Sequence, residues 1–151
     1  MTRFAILALT LILAVGAAAP ARAQYDVPTP SAAAPISVTA GWWFNPAEGG
    51  SGYGIASNAN GHIFFGAYGY SDSGSGAADW MYSTLTQTST NVYFGTLSHC
   101  TGGQMLSSAT FVAAKCAATS ENIQLTFTAT NAALLQFSTG RSTQIQPFTT
   151  Y

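Results

Sequence analysis

The stretch that decides the fold is GWWFNPAEGGSGYG, residues 41–54. It places three adjacent aromatic residues before an Asn45-Pro46 pair and a glycine-rich run. Because neighbouring side chains on a strand point to opposite faces, Trp42 and Phe44 are predicted to share one face and Trp43 the other. Proline presets φ for the second position of a turn. The stretch therefore predicts a strand that enters a tight corner, either where a β-barrel closes or at the lip of a binding site.

The pattern outside this corner also indicates strands. Residues 123–128, IQLTFT, alternate between apolar and polar side chains, and Asn60-Gly61 is typical of a hairpin turn. We predict strands at 38–45, 52–58, 62–70, 78–86, 90–98, 104–114, 121–129, 132–139 and 142–149. Further turns are predicted at 72–76, 101–103 and 119–122. No segment predicts a helix. The expected fold is all-β, an antiparallel meander of about eight or nine strands that forms a small barrel or sandwich.

The N-terminal residues indicate export. Arg3 precedes an uncharged aliphatic run, and Ala21-Arg22-Ala23 matches a signal-peptidase site, so residues 1–23 are predicted to be a signal peptide. Residues 24–37 contain three prolines and an alanine run, which predicts a flexible leader. A single β domain is then expected over 38–151. The expected location is secreted, periplasmic or at the cell surface, with no transmembrane segment after cleavage.

Charge is scarce after residue 23. The chain there has two basic residues, Lys115 and Arg141, and five acids, which gives a net charge of −3. A nucleic-acid partner is excluded, because binding to phosphates needs a cluster of cations. A surface with so little charge repulsion is compatible with self-association.

The two cysteines predict a disulfide. Cys100 and Cys116 lie in a chain with export features, where oxidation is the default. In the chain-entropy model, closing this loop contributes about 3 kcal/mol. Metal binding is the alternative, but two cysteines without paired spacing make a poor zinc site. We predict no metal and no cofactor.

Aromatic residues near the corner are the candidate ligand contacts. Their rings offer stacking surfaces for sugars or other flat molecules, whereas the alternative is packing inside the barrel. The candidates are Trp43, Tyr53, Tyr68, Tyr70 and Trp80, with Glu48 and Asp79 as hydrogen-bond acceptors.

Glu48 has two interpretations. It either accepts hydrogen bonds from the amides of Gly49, Gly50 and Gly52 and so fixes the corner, or it acts as a ligand-binding acid or general base. Asp72 and Asp79 bracket a Gly/Ser loop, and paired carboxylates are compatible with glycoside hydrolysis or calcium binding. A turn role is the simpler interpretation of Asp72.

Residues 41–53 resemble the signature G-x-W-[WY]-[WFY]-[ND]-P-x-E-x-G-x-G of a widespread family of exported bacterial β domains that lacks an assigned biochemical function. Residues 68–74, 79–81 and 102–106 are similar to later segments of that family, although Ser71 displaces the aspartate and Ala78-Asp79 precedes Trp80 where the family has proline. The resemblance implies an all-β fold and no reaction. A second, weaker similarity, to avidin-type barrels, concerns shape and implies nothing about biotin.

Three functions follow as hypotheses. The first is a secreted, non-catalytic binding module for a carbohydrate or another small flat molecule. The second is a structural subunit of an extracellular or cell-surface assembly. The third is a glycan-active hydrolase that uses Glu48 with Asp72 and Asp79.

Overall fold

The computed structural model describes residues 33–70 and 76–148. They form eight antiparallel strands in sequence order, and the last strand pairs with the first to close a barrel. The strands are β1 (Gly41–Phe44), β2 (Gly52–Ser57), β3 (His62–Tyr70), β4 (Ala78–Ser89), β5 (Val92–Gly102), β6 (Ala114–Ala129), β7 (Ala132–Phe137) and β8 (Ser142–Pro147). No helix occurs among the described residues. The all-β meander is confirmed, and the barrel is the correct one of its two predicted forms.

Alternation along the strands fills the barrel with apolar side chains. Trp43 is 1% exposed inside it, whereas Trp42 on the outer face is 56% exposed, as the corner sequence predicts. The other buried apolar residues are Tyr53, Ile55, Ile63, Phe65, Leu85, Tyr93, Leu97, Ile123, Leu125, Phe127, Ala133, Leu135 and Ile145. Burial of this interior supplies the main driving force for folding.

Two predictions between residues 101 and 122 are wrong. The predicted strand 104–114 is an irregular connection, and β6 begins only at Ala114. The predicted turn 119–122 lies inside β6, at a register shift where residues 119–121 of β6 face the single β5 residue Leu97. There the Thr119 hydroxyl donates to the Leu97 carbonyl at 2.9 Å. The same hydroxyl accepts from the Glu121 amide at 3.1 Å, so the local bend is kept as a bulge within β6 and does not end the strand.

β5 and β6 extend past their other neighbours as a two-stranded ribbon. Cys100 lies directly opposite Cys116, with Cα atoms 4.0 Å apart and sulfur atoms 2.03 Å apart, so the predicted disulfide is confirmed. The connection 103–113 at the end of this ribbon exposes the large apolar residues Met105, Leu106, Phe111 and Val112.

The barrel has one closed end. The connections 58–61, 90–91 and 130–131 lie there, and residues 33–40 cross it. The Ile36 amide donates to Asn91 Oδ1 at 2.7 Å, and Asn91 Nδ2 donates to the Ala34 carbonyl at 2.9 Å. Ile36 and Val38 pack against the core. The described part of the predicted leader is therefore anchored to the barrel.

Several predictions lie outside the described residues. These are the signal peptide at 1–23, most of the leader at 24–37, and the part of the β3–β4 connection that contains Asp72. At the end of the barrel opposite residues 33–40, which we call the open end, lie the connections 45–51, 103–113 and 138–141.

Candidate functional site

The open end contains a cavity of about 460 Å³. Its inner wall is formed by Tyr53, Ala67, Met81, Leu97 and Phe137, which continue the inward-facing side of their strands. Nearer the mouth the lining becomes polar, and there it consists of Ser51, Gly69, Asp79, Glu121, Thr139 and Arg141. The cavity therefore combines an apolar wall with a small number of convergent polar groups, which is typical of a small-molecule site.

Charge is concentrated at this mouth. The described residues include five Asp, Glu, Lys and Arg side chains. Asp79, Glu121 and Arg141 line the cavity, and Glu48 pairs with Arg141. Only Lys115 lies elsewhere, on the ribbon. With histidine neutral, the four charges at the mouth sum to −2.

Glu48 is held by side chains from both sides of the barrel seam. Arg141 Nη2 donates to Glu48 Oε2 at 2.5 Å, and Thr143 Oγ1 donates to Glu48 Oε1 at 2.9 Å. Asn45 Nδ2 also donates to Oε1, at 3.1 Å. In the described part of the chain, these side chains, and not the glycine amides that the sequence suggested, are the partners of the carboxylate.

The Asn45-Pro46 turn places Glu48 at this position. The Glu48 amide donates to the Asn45 carbonyl at 3.0 Å, and the Ala47 amide donates to Asn45 Oδ1 at 2.9 Å. Gly50 follows with a φ of 87°, and a Cβ there would lie 2.9 Å from the Tyr70 ring. The corner thus needs glycine at residue 50, both for its backbone conformation and for the close approach of Tyr70.

Tyr53 is the buried polar group of the inner wall. Burial raises the pKa of its phenol above the ordinary value of 10.0, and the Glu48 carboxylate raises it further. The Arg141 charge and hydrogen bonds from Arg141 and Ser51 act in the opposite direction. The phenol is therefore a neutral group at physiological pH that can both donate and accept a hydrogen bond.

The two other carboxylates at the mouth have neutral or histidine partners. Asp79 Oδ1 lies 2.8 Å from His99 Nε2 and also accepts from the Trp80 amide at 2.8 Å. Glu121 Oε1 accepts from the Thr139 hydroxyl at 3.1 Å. No described Lys or Arg side chain pairs with either carboxylate.

The structure separates the predicted aromatic and acidic ligand contacts among the cavity, the core and the outer face of the barrel. Tyr53 and Asp79 lie in the cavity, and Tyr68 and Tyr70 lie at its edge. Trp43 is in the core, where its indole Nε1 donates to the Thr39 carbonyl at 3.0 Å. Trp80 is on the outside of the barrel, 6.0 Å from the Tyr82 ring. These aromatic residues therefore do not form one stacking surface.

Sequence reasoning missed several cavity residues. Glu121 precedes Ile123 by two positions and Phe137 follows Leu135 by two, so strand alternation could have assigned both to the interior. Arg141 carries no local pattern of this kind, because it follows a turn and its partner is 93 residues away.

The outer face of β1, β3 and β4 is rich in aromatic side chains. Trp42 lies 5.1 Å from Tyr68, and Phe64 lies 6.1 Å from Tyr82. We call this set, with Trp80, the outer aromatic strip. A separate outer groove of about 480 Å³ runs between Trp42, Phe44, Phe148 and the 45–52 corner. It has fewer convergent polar groups than the open-end cavity, because Glu48 and Asn45 already bind each other.

Other classes of site receive no support in the described residues. No group of three or more His, Cys, Asp or Glu side chains is arranged to hold a metal ion there. The described part of the chain also contains no helix long and apolar enough to cross a membrane.

Comparison with known protein families, with curated proteins and with solved structures gives no match to this chain. The resemblance of the corner sequence to exported bacterial β domains therefore stays a prediction.

Proposed function

We propose that this chain is an exported, non-catalytic binding module that holds a small molecule in the open-end cavity. The observation that carries the proposal is the position of three of the five described charged side chains, Asp79, Glu121 and Arg141, in the lining of one cavity, with a fourth, Glu48, bound to Arg141. In a protein so poor in charge, such a concentration is unexpected for a merely structural end of a barrel. The volume of about 460 Å³ lies within the range of known ligand pockets.

The lining favours a ligand with a flat ring and polar substituents, such as a carbohydrate. Tyr53, Tyr70 and Phe137 place aromatic rings in the lining. Ser51, Thr139 and the mouth carboxylates supply donors and acceptors for hydroxyl groups. From the ligand contacts predicted by sequence, Tyr53, Tyr70 and Asp79 remain in this proposal.

The contacts of the carboxylates support binding over hydrolysis. Both oxygens of Glu48 already accept hydrogen bonds from side chains of the chain itself. A general acid needs a raised pKa and a proton directed at the substrate. In Glu48, each carboxylate oxygen is instead directed at a side chain of the chain itself, Arg141 or Thr143, and this geometry opposes that role.

A blocking substitution tests the proposal. Gly69 lines the cavity, and a Cβ at this position has no neighbour within 4 Å, so Gly69→Leu would fill the mouth without a clash at the Cβ. Ala56→Leu places the same side chain on the exposed face of β2 and is the matched control. We expect amide chemical-shift changes from a glycan and metabolite panel to map to the cavity, to disappear in Gly69→Leu and to persist in Ala56→Leu. Binding that survives Gly69→Leu contradicts the proposal.

A structural subunit is the second candidate function. It is supported by the outer aromatic strip and by the exposed apolar residues at the end of the ribbon, because large exposed apolar patches mark interaction surfaces. Sedimentation velocity over a concentration series tests it. We expect self-association that Trp42→Ser or Phe111→Ser reduces; a strictly monomeric chain at all concentrations counts against assembly.

A further inference from the structure

We infer that the open-end cavity selects ligands in which a ring carries a cationic amino group, with the ammonium between the Asp79 and Glu121 carboxylates. The inference rests on the proposed function and specifies the ligand class of the same cavity. Three features of the lining carry it: the balance of charge, the aromatic wall and the engagement of Arg141.

Arg141 does not supply a free positive charge to the cavity. Its guanidinium contacts Glu48 at 2.5 Å and lies 5.2 Å from the centre of the Phe137 ring. The carboxylate of Glu48 therefore offsets the only described cation in the lining. With His99 neutral, Asp79 and Glu121 then leave the mouth with a charge of −2, without a Lys or Arg partner among the described residues.

A ligand ammonium would complement both the charge and the rings. Each carboxylate already binds a polar side chain, His99 or Thr139, which orients it at the mouth. A cation over an aromatic face gains further electrostatic attraction from the ring. The Arg141–Phe137 contact shows that the wall already holds one cation in this way, and Tyr53 and Tyr70 are further rings of the lining.

Anionic ligands are disfavoured by the same arrangement. An anion at the mouth would approach two carboxylates, and it would have to compete with Glu48 for the Arg141 guanidinium. A neutral ligand would leave the charge of the mouth uncompensated. Ligand charge is therefore the variable that distinguishes this inference from the proposed function alone.

A matched series of probes tests the inference on the wild-type chain. Tyramine, 4-ethylphenol and 3-(4-hydroxyphenyl)propionate share a phenol ring and differ in one cationic, neutral or anionic substituent. In NMR titrations at low ionic strength, we expect tyramine to bind about tenfold more tightly than 4-ethylphenol, as a partly exposed ion pair plus a cation–π contact would give. The propionate should bind most weakly.

Variants locate the source of the preference. Asp79→Asn with Glu121→Gln keeps the size of both side chains and should remove the preference for tyramine, whereas Lys115→Gln, on the ribbon, should retain it. Added salt should reduce the preference in the wild type, since screening weakens exposed charge pairs.

The outcomes separate the two claims. Equal binding of tyramine and 4-ethylphenol in the cavity overturns the amine inference and leaves the proposed function intact. The same holds if neutral glycans bind there and none of the three probes does. If no probe and no member of the broader panel shifts a cavity amide, both are overturned.

Discussion

Replacement of Glu48 is expected to weaken the closure of the barrel. The seam between β1 and β8 is short, with only two residue pairs in register, whereas β2 and β3 share six. Glu48 adds a side-chain connection across this seam, because Arg141 and Thr143 belong to the β7–β8 turn and β8. Its removal should therefore act on the least extensively paired junction of the sheet.

The structure gives the expected magnitude. The Glu48 and Arg141 side chains are 29% and 53% exposed, so their ion pair is partly screened and contributes roughly 0.2–1 kcal/mol. Thr143 is only 4% exposed, and loss of its acceptor leaves a buried hydroxyl underpaired at a cost of about 1–3 kcal/mol. Glu48→Ala should thus lower the free energy of unfolding by about 1–4 kcal/mol. Glu48→Gln keeps an acceptor for Thr143 and should cost about 1 kcal/mol.

Urea unfolding measures these differences. Tryptophan fluorescence is a suitable probe, because the Trp43 indole is buried in the core and becomes exposed on unfolding. A double-mutant cycle with Arg141→Ala isolates the ion pair, and Lys115→Ala is the control for loss of a charge that has no ion-pair partner among the described residues. The reasoning is refuted if Glu48→Ala costs no more than Lys115→Ala, or if Glu48→Gln and Glu48→Ala are equally destabilising.

Three further predictions concern the wall, the ribbon and the interior. Because burial raises the pKa of the Tyr53 phenol, the unfolded chain loses this proton at a lower pH than the folded chain. The contribution of the phenol to stability is therefore complete below pH 10.0 and declines as the pH rises above it. From neutral to alkaline pH, the free energy of unfolding of Tyr53→Phe should decline less than that of the wild type. Cys100→Ser with Cys116→Ser should lower the free energy of unfolding by at most about 3 kcal/mol. The double variant should also increase amide hydrogen exchange mainly in the ribbon, because the ribbon lies outside the core. Equal loss of protection in all strands would contradict this. Gly95→Ala should lower the free energy of unfolding by about 1–3 kcal/mol in chemical denaturation, because its Cβ would lie 2.6–3.0 Å from three atoms of β4. In Gly69→Ala the Cβ meets no atom within 4 Å, so the free energy of unfolding should change by no more than about 0.5 kcal/mol.

Local sequence patterns predicted most of the barrel. The period of two placed Trp42 and Trp43 on opposite faces, as the structure has them, and the separation of the cysteines suited neighbouring strands. The wrong predictions concern segments in which the conformational preference of the local sequence differs from the observed secondary structure. Phe111 and Val112 are typical strand residues, yet they lie in an exposed connection, whereas the bend at Thr119 is a bulge within β6 and does not separate two strands. Such outcomes depend on cross-strand partners that no local window contains.

The candidate site was less predictable for a related reason. The sequence identified the aromatic and acidic residues of the corner, but closure of the barrel decides which of them meet. Glu48 lacked a recognisable partner in the sequence because Arg141 is 93 residues away. Trp80 and Tyr53 are both aromatic, yet the strand parity that places one outside and the other in the cavity becomes evident only with the register of the sheet.

The corner at residues 41–54 connects the stability of the barrel to the charge of its mouth. Glu48 completes the seam between β1 and β8, and the same carboxylate offsets the charge of Arg141 in the cavity lining. A substitution that frees Arg141 would therefore loosen the seam and also add an uncompensated cation beside Asp79 and Glu121. In such a variant, a ligand ammonium and the freed Arg141 guanidinium would compete for the carboxylates of Asp79 and Glu121. Glu48, which the sequence suggested as an acid for catalysis, thus offsets Arg141 and changes the charge of the mouth from −1 to −2, with histidine neutral.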